Sequence, residues 1–240
     1  RNQPDGTLDL DDVAAAIRGN NIHYPRTRLI TVENTHNLCS GAALTPEYMA
    51  GLGKLARAHA LPVHVDGARI FNAAIALGVD VERLTRDADS VTFCLSKGLA
   101  APVGSVIVGS RAFIAEARRM RKVVGGGMRQ VGVLAAAGIV ALEQMVDRLA
   151  EDHANAQALV DGLAGVPGIA VEPSPCRTNI VYMRVTYPQM DARQLQERLG
   201  AQGVLMLALG PRLIRAVTHY HVSRQDVDAA VQVIREVLAG

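Results

Sequence analysis

The stretch SVTFCLSKGLAAPVG, residues 90–104, decides how this chain is read. An apolar, β-rich run over residues 90–95 delivers one lysine, Lys97, into a turn of small residues. A second apolar run, Leu61-Pro62-Val63-His64-Val65, delivers Asp66-Gly67-Ala68-Arg69. A third, over residues 28–32, ends in the polar loop Glu33-Asn34-Thr35-His36-Asn37. His36, Asp66 and Lys97 therefore each follow a predicted strand. Ligands bind at the C-terminal ends of strands in open parallel sheets, so the three point to one site. A lysine for a Schiff base, and an acid that keeps a pyridine nitrogen protonated, are what a pyridoxal 5'-phosphate site needs most.

Working outward, residues 9–18 read as a short helix. Thr45-Pro46-Glu47 starts another, running to about residue 59. Residues 70–77 are helical and stop at Gly78. Residues 105–108 form a strand able to pair with 90–95 as a hairpin. A helix over 110–121 ends in basic residues, favourable for its dipole, and the glycines at 125–127 break it. Residues 130–150 read as one long Ala- and Val-rich helix, apolar on most sides and so expected to be buried. Helix continues over 154–163. Then the pattern changes: short strands at 169–171, 180–183, 204–206 and 213–217, with helices at 191–199 and 223–238. The expected fold class is α/β, a mostly parallel sheet with helices on both faces over residues 1–150, followed by a small α+β domain over 151–240.

The 240 residues carry 25 basic and 23 acidic side chains, a net charge of +2, with few aromatics. This argues against a nucleic-acid platform. No apolar run reaches membrane-span length, so no membrane partner is expected. Cys39, Cys94 and Cys176 are odd in number and lack metal-like spacing, which favours reduced thiols in the cytoplasm and no metal site.

Taken together, residues 63–69, 94–104, 121–130, 33–37 and 215–219 resemble the motifs of the low-specificity L-threonine aldolase family, in the family's order. The resemblance implies the aspartate-aminotransferase type of fold and pyridoxal 5'-phosphate as cofactor. It also implies a small amino-acid substrate and a homo-oligomer built as a dimer of dimers. The activity implied is retro-aldol cleavage of threonine or allo-threonine to glycine and acetaldehyde. A phenylserine aldolase, a β-eliminating lyase and an inactive truncated chain are the alternatives.

Residue roles follow from both sources. Lys97 is the expected cofactor lysine, which requires a partly desolvated niche to lower its proton affinity. A surface lysine at a strand end is the plainer reading. Asp66 would pair with the pyridine nitrogen, or else cap the following helix. Arg69 resembles the arginine at the cofactor hydroxyl and substrate side. Arg215, a charge inside an apolar strand, resembles the substrate-carboxylate arginine, whose fork fits a carboxylate bidentately. His36 resembles the histidine near the substrate hydroxyl, acting as base or positioning a water. His64 reads as a satisfied core histidine and His219 as structural. The 125–127 glycines could form an anion nest or simply punctuate two helices. By resemblance, Arg129 would meet the cofactor phosphate and Lys122 would lie near the substrate, both at a neighbouring subunit's site. Ser40 and Ala100 stand where the family usually has glycine. The family's N-terminal phosphate loop and ring-stacking histidine are expected to precede residue 1.

Overall fold

Alternating helices and strands build the first layer. The computed structural model describes residues 1–173 and 178–239, so the reading of Cys176 lies outside the described residues. The elements run α1 (Leu10–Ala16), β1 (Ile30–Glu33), α2 (Pro46–Ala58), β2 (Val63–Asp66), α3 (Ile70–Leu77), α4 (Val81–Thr85), β3 (Ser90–Cys94) and β4 (Ser105–Gly109). Strands β1, β2 and β3 are parallel neighbours, and β4 returns antiparallel beside β3 as the expected hairpin. The register pairs Glu33 with Asp66 and Asp66 with Thr92, so β1 and β2 end level with one another and β3 runs on to Cys94. Val63, Val65 and Val91 bury one face against Leu44, Met49, Leu52 and Ile70. Thr45 caps α2, accepting from the Tyr48 amide with Pro46 in the first turn, and α3 ends on left-handed Gly78.

Next come α5 (Arg111–Val123), α6 (Gly132–Gln144) and α7 (Leu149–Leu163). The single helix expected over 130–150 is two, with α7 beginning near the proposed domain boundary. Its burial is also corrected: Val133, Ile139, Val140 and Leu142 of α6 are exposed in the isolated chain. The apolar composition was read correctly, but among the described residues only its Gly138 and Ala141 side is covered.

The second sheet contains β5 (Ile169–Val171), β6 (Ile180–Val185), β7 (Leu207–Ala208) and β8 (Leu213–Val217), in the order β5-β6-β8-β7 and antiparallel throughout. The edge strand falls at 207–208 rather than 204–206. Helices α8 (Ala192–Ala201) and α9 (Arg224–Ala239) pack with α7 on one face, enclosing Val181, Met183, Ile214 and Ile234. No helix among the described residues is long and apolar enough to cross a membrane.

Candidate functional site

The turn bearing Lys97 is pinned from below. Leu95 and Leu99 pack on Ala141 of α6 and Leu149 of α7. The Leu95 amide donates to Gly104 and the Ala101 amide to Leu95, closing the loop between β3 and β4. A Cβ on Gly98 would sit 2.8 Å from Leu149 and 3.2 Å from the Asn72 amide oxygen, so this glycine lets the turn settle onto its base. Ala100 and Ser40 both hold positive φ, 57° and 53°. The two departures from glycine therefore fall where an L side chain costs about 1–2 kcal/mol.

Lys97 lines a cleft of about 400 Å³ together with Arg69, Asn179, His219 and Tyr220. The expected desolvated niche is not present in the isolated chain, where Lys97 is exposed. Asp66 stands at the adjacent strand end and accepts from the Ala68 amide at 3.1 Å. It does not cap α3, whose N-cap position is Arg69 without a side-chain bond. A Cβ on Gly67 would lie 2.7 Å from the Thr92 carbonyl, so glycine is needed where the chain leaves β2.

Arg215 enters from the second sheet. Its Nη1 donates to Asn37 Oδ1 at 3.1 Å, joining β8 to the loop after β1. Arg69 is pushed below the ordinary arginine pKa by burial and by the charge of Arg215, with Glu33 opposing. The Nε atoms of both arginines are buried without partners. Two like charges with unused donors favour an anion between or beside them.

His36 is 6 % exposed, sealed under Gly6, and is not among the residues lining the Lys97 cleft. Its Nε2 lies 3.9 Å from Glu33 Oε2 and its Nδ1 is buried without a partner. His64 bonds Ser90 Oγ at 2.8 Å, as a satisfied core histidine does. His219, read from sequence as structural, lies on the cleft wall together with His221. Its signal was only its place just after an apolar strand. Lys122, near the end of α5, and Arg129, in the turn before α6, are exposed and do not line the cleft.

The beta-eliminating lyase family model matches residues 1–186. A probable low-specificity L-threonine aldolase 2 from Arabidopsis thaliana is 44 % identical over 240 residues, covering 99 % of this chain and 68 % of that protein. The chain belongs to the low-specificity L-threonine aldolase family. The low-specificity L-threonine aldolase of Escherichia coli (strain K12) is 45 % identical over 223 residues, covering 93 % of this chain and 64 % of that one. Among solved structures, the Leishmania major threonine aldolase matches with a TM-score of 0.78 at 20 % identity, over 98 % of this chain and 69 % of that one. The chain thus spans about two thirds of the length of these family members.

The donor set suits the cofactor such family sites call for. It offers a primary amine on the cleft wall, a carboxylate at the neighbouring strand end and an arginine with an unused buried Nε.

Proposed function

We propose that this chain carries the catalytic lysine and substrate grip of a pyridoxal 5'-phosphate-dependent aldolase. The reaction is cleavage of L-threonine or L-allo-threonine to glycine and acetaldehyde. The supporting observation is the meeting of Lys97 and Arg69 in one cleft, in the turns that follow the neighbouring strands β3 and β2. When bound, pyridoxal phosphate supplies an electron sink for the pair released as Cα–Cβ breaks.

The chain's residues do the rest. Lys97 would hold the cofactor through its amine. Asp66 would pair with the ring nitrogen and keep it protonated. Arg215, steadied by Asn37, grips the substrate carboxylate, and Arg69 adds a second positive charge on the same side. The β-hydroxyl must lose its proton as the bond breaks. His36 holds the accepting side of that transfer, directly or through a water, and its unpaired Nδ1 supports this. Arg129 would hold the cofactor phosphate and Lys122 would approach the substrate, each in a neighbouring subunit of a homo-oligomer built as a dimer of dimers. The exposed Val123, Val124 and Val133 around these two residues support a second copy of the chain as cover for this face. Cys39 and Cys94 are free thiols, which supports the cytoplasm as compartment.

The family model's description favours a second reading, β-elimination, on the same site. Purified protein mixed with cofactor should gain an absorbance band that borohydride fixes on Lys97, and should release acetaldehyde from threonine. Pyruvate from serine without acetaldehyde from threonine would establish the second reading instead.

A further inference from the structure

Tyr182 has no role in the sites above, yet it shares their most unusual feature. Its hydroxyl is buried without a hydrogen-bond partner, as are Arg69 Nε and Arg215 Nε. Tyr182 is 3 % exposed. A phenylalanine would fill nearly the same volume without a hydroxyl to satisfy, so the oxygen calls for an explanation.

The strand register gives one. Along β6, Val181, Met183 and Val185 face the helices and join the core of the second sheet. Tyr182 therefore faces the opposite way. Along β8, Ile214 and Ala216 join the same core, so Arg215 also faces away from it. Tyr182 and Arg215 are directly opposed in the β6–β8 pair. Opposed residues share a face with Cβ atoms about 5 Å apart. Arg215 is thus held at Nη1 by Asn37, while its Nε is buried with no acceptor. A phenolic oxygen supplies the acceptor that a guanidinium N–H lacks. The charges of Arg215 and Arg69 both act on this hydroxyl, so its oxygen lies within the field of the two guanidiniums.

We propose that Tyr182 is a positioning residue: its hydroxyl steadies Arg215 against Arg69 and thereby sets the affinity of the site for a carboxylate. This rests on the reading of Arg215 as the carboxylate grip. Burial pushes the Tyr182 phenol above its ordinary pKa while Arg215 and Arg69 pull it down, so near neutral pH the group is the neutral phenol.

The test is Tyr182→Phe, with Tyr182→Leu as second variant should the first not fold. In the cofactor-loaded protein the glycine Kd, read from the change in the cofactor band, should weaken about tenfold, and KM for threonine should rise with it. The kcat should stay within about twofold, because the grip is the same in ground and transition states. In an Arg215→Lys background, Tyr182→Phe should add no further loss. A readout independent of turnover is the Arg215 Nε–H signal in cofactor-free protein labelled at arginine, assigned by its disappearance in Arg215→Lys. That signal should move in Tyr182→Phe. Unchanged glycine affinity overturns the proposal, as do losses that multiply in the double variant. A wild-type protein that takes up cofactor without answering glycine overturns the aldolase reading instead. The Nε–H signal then still decides whether Tyr182 holds Arg215, and a signal that does not move overturns the contact.

Discussion

Two buried polar clusters flank the Lys97 turn, and they differ in one respect. At the start of α7 the groups are paired. Arg148 donates to Asp152 at 2.7 Å, the Thr218 hydroxyl donates to the Asp152 carbonyl at 2.6 Å, and His153 bonds Asn72 at 3.1 Å. Arg148 also lies 5.1 Å from the centre of the Tyr220 ring on the cleft wall. At Arg69 on the cleft wall and at Arg215 behind it the guanidinium Nε atoms are buried and unpaired. A protein fixes a scaffold by satisfying its buried polar groups, and leaves groups unsatisfied where a ligand completes them. By this criterion the α7 cluster holds the site in shape, and the arginine cluster binds.

The sharpest separation comes from Lys97→Ala. It should lower threonine cleavage by about three orders of magnitude or more, since no other described residue offers an amine to the cofactor in this cleft. Folding should be untouched, because Lys97 is exposed. Acetaldehyde release and thermal unfolding, measured side by side, check both halves. Full cleavage by this variant would remove the basis of the site.

Asp152→Ala should do the reverse. The carboxylate is fully buried, burial raises its pKa, and Arg148 opposes that rise. Removing it strands a partly buried guanidinium, at a cost of about 3–5 kcal/mol in unfolding free energy. Denaturant titration reads the loss. KM for threonine in the folded fraction should change less than in any arginine variant. A stable Asp152→Ala protein with impaired binding would erase the contrast between the clusters.

Arg215→Leu tests the unpaired cluster directly. Losing a forked, charge-assisted grip should weaken glycine binding about a hundredfold. Stability should hold or rise, because the substitution relieves the repulsion on Arg69. Calorimetric unfolding together with glycine titration checks the pair of outcomes.

The sequence already showed the strands that carry Asp66, Lys97 and Arg215, because each is an apolar run closed by a polar or small-residue turn. It showed the α3 stop, because Gly78 can adopt the left-handed conformation that ends the helix. It did not show Tyr182 as part of the site. Ile180 to Met183 are all buried, so the period-two alternation that would assign faces is absent from the residue types. The α7 pairs were equally hidden, since Asp152 and His153 meet Thr218 and Asn72 across sequence gaps that local spacing cannot reveal. For α6, composition announced burial that the described residues do not supply at Val133, Ile139, Val140 and Leu142.

The smallest effect expected concerns acid and the paired cluster. Burial depresses the His153 pKa to about 4 from an unfolded value of 6.5. Between these values the unfolded chain binds a proton that the folded one refuses, so stability falls as pH drops from about 6.5 towards 4. The shift corresponds to about 2–3 kcal/mol over that window, counting His153 alone. Burial is the cause, and a protonated ring would also turn an N–H towards the Asn72 amide nitrogen that now donates to it. Asn72 lies under Gly98 and so under the Lys97 turn. His153→Gln should flatten the acid limb of the stability curve, measured by urea unfolding from pH 7 to 4.5. It should leave glycine affinity at pH 8 within about twofold, because the imidazole is neutral there and only the turn's support depends on it. An unchanged acid limb would place the acid sensitivity elsewhere in the fold.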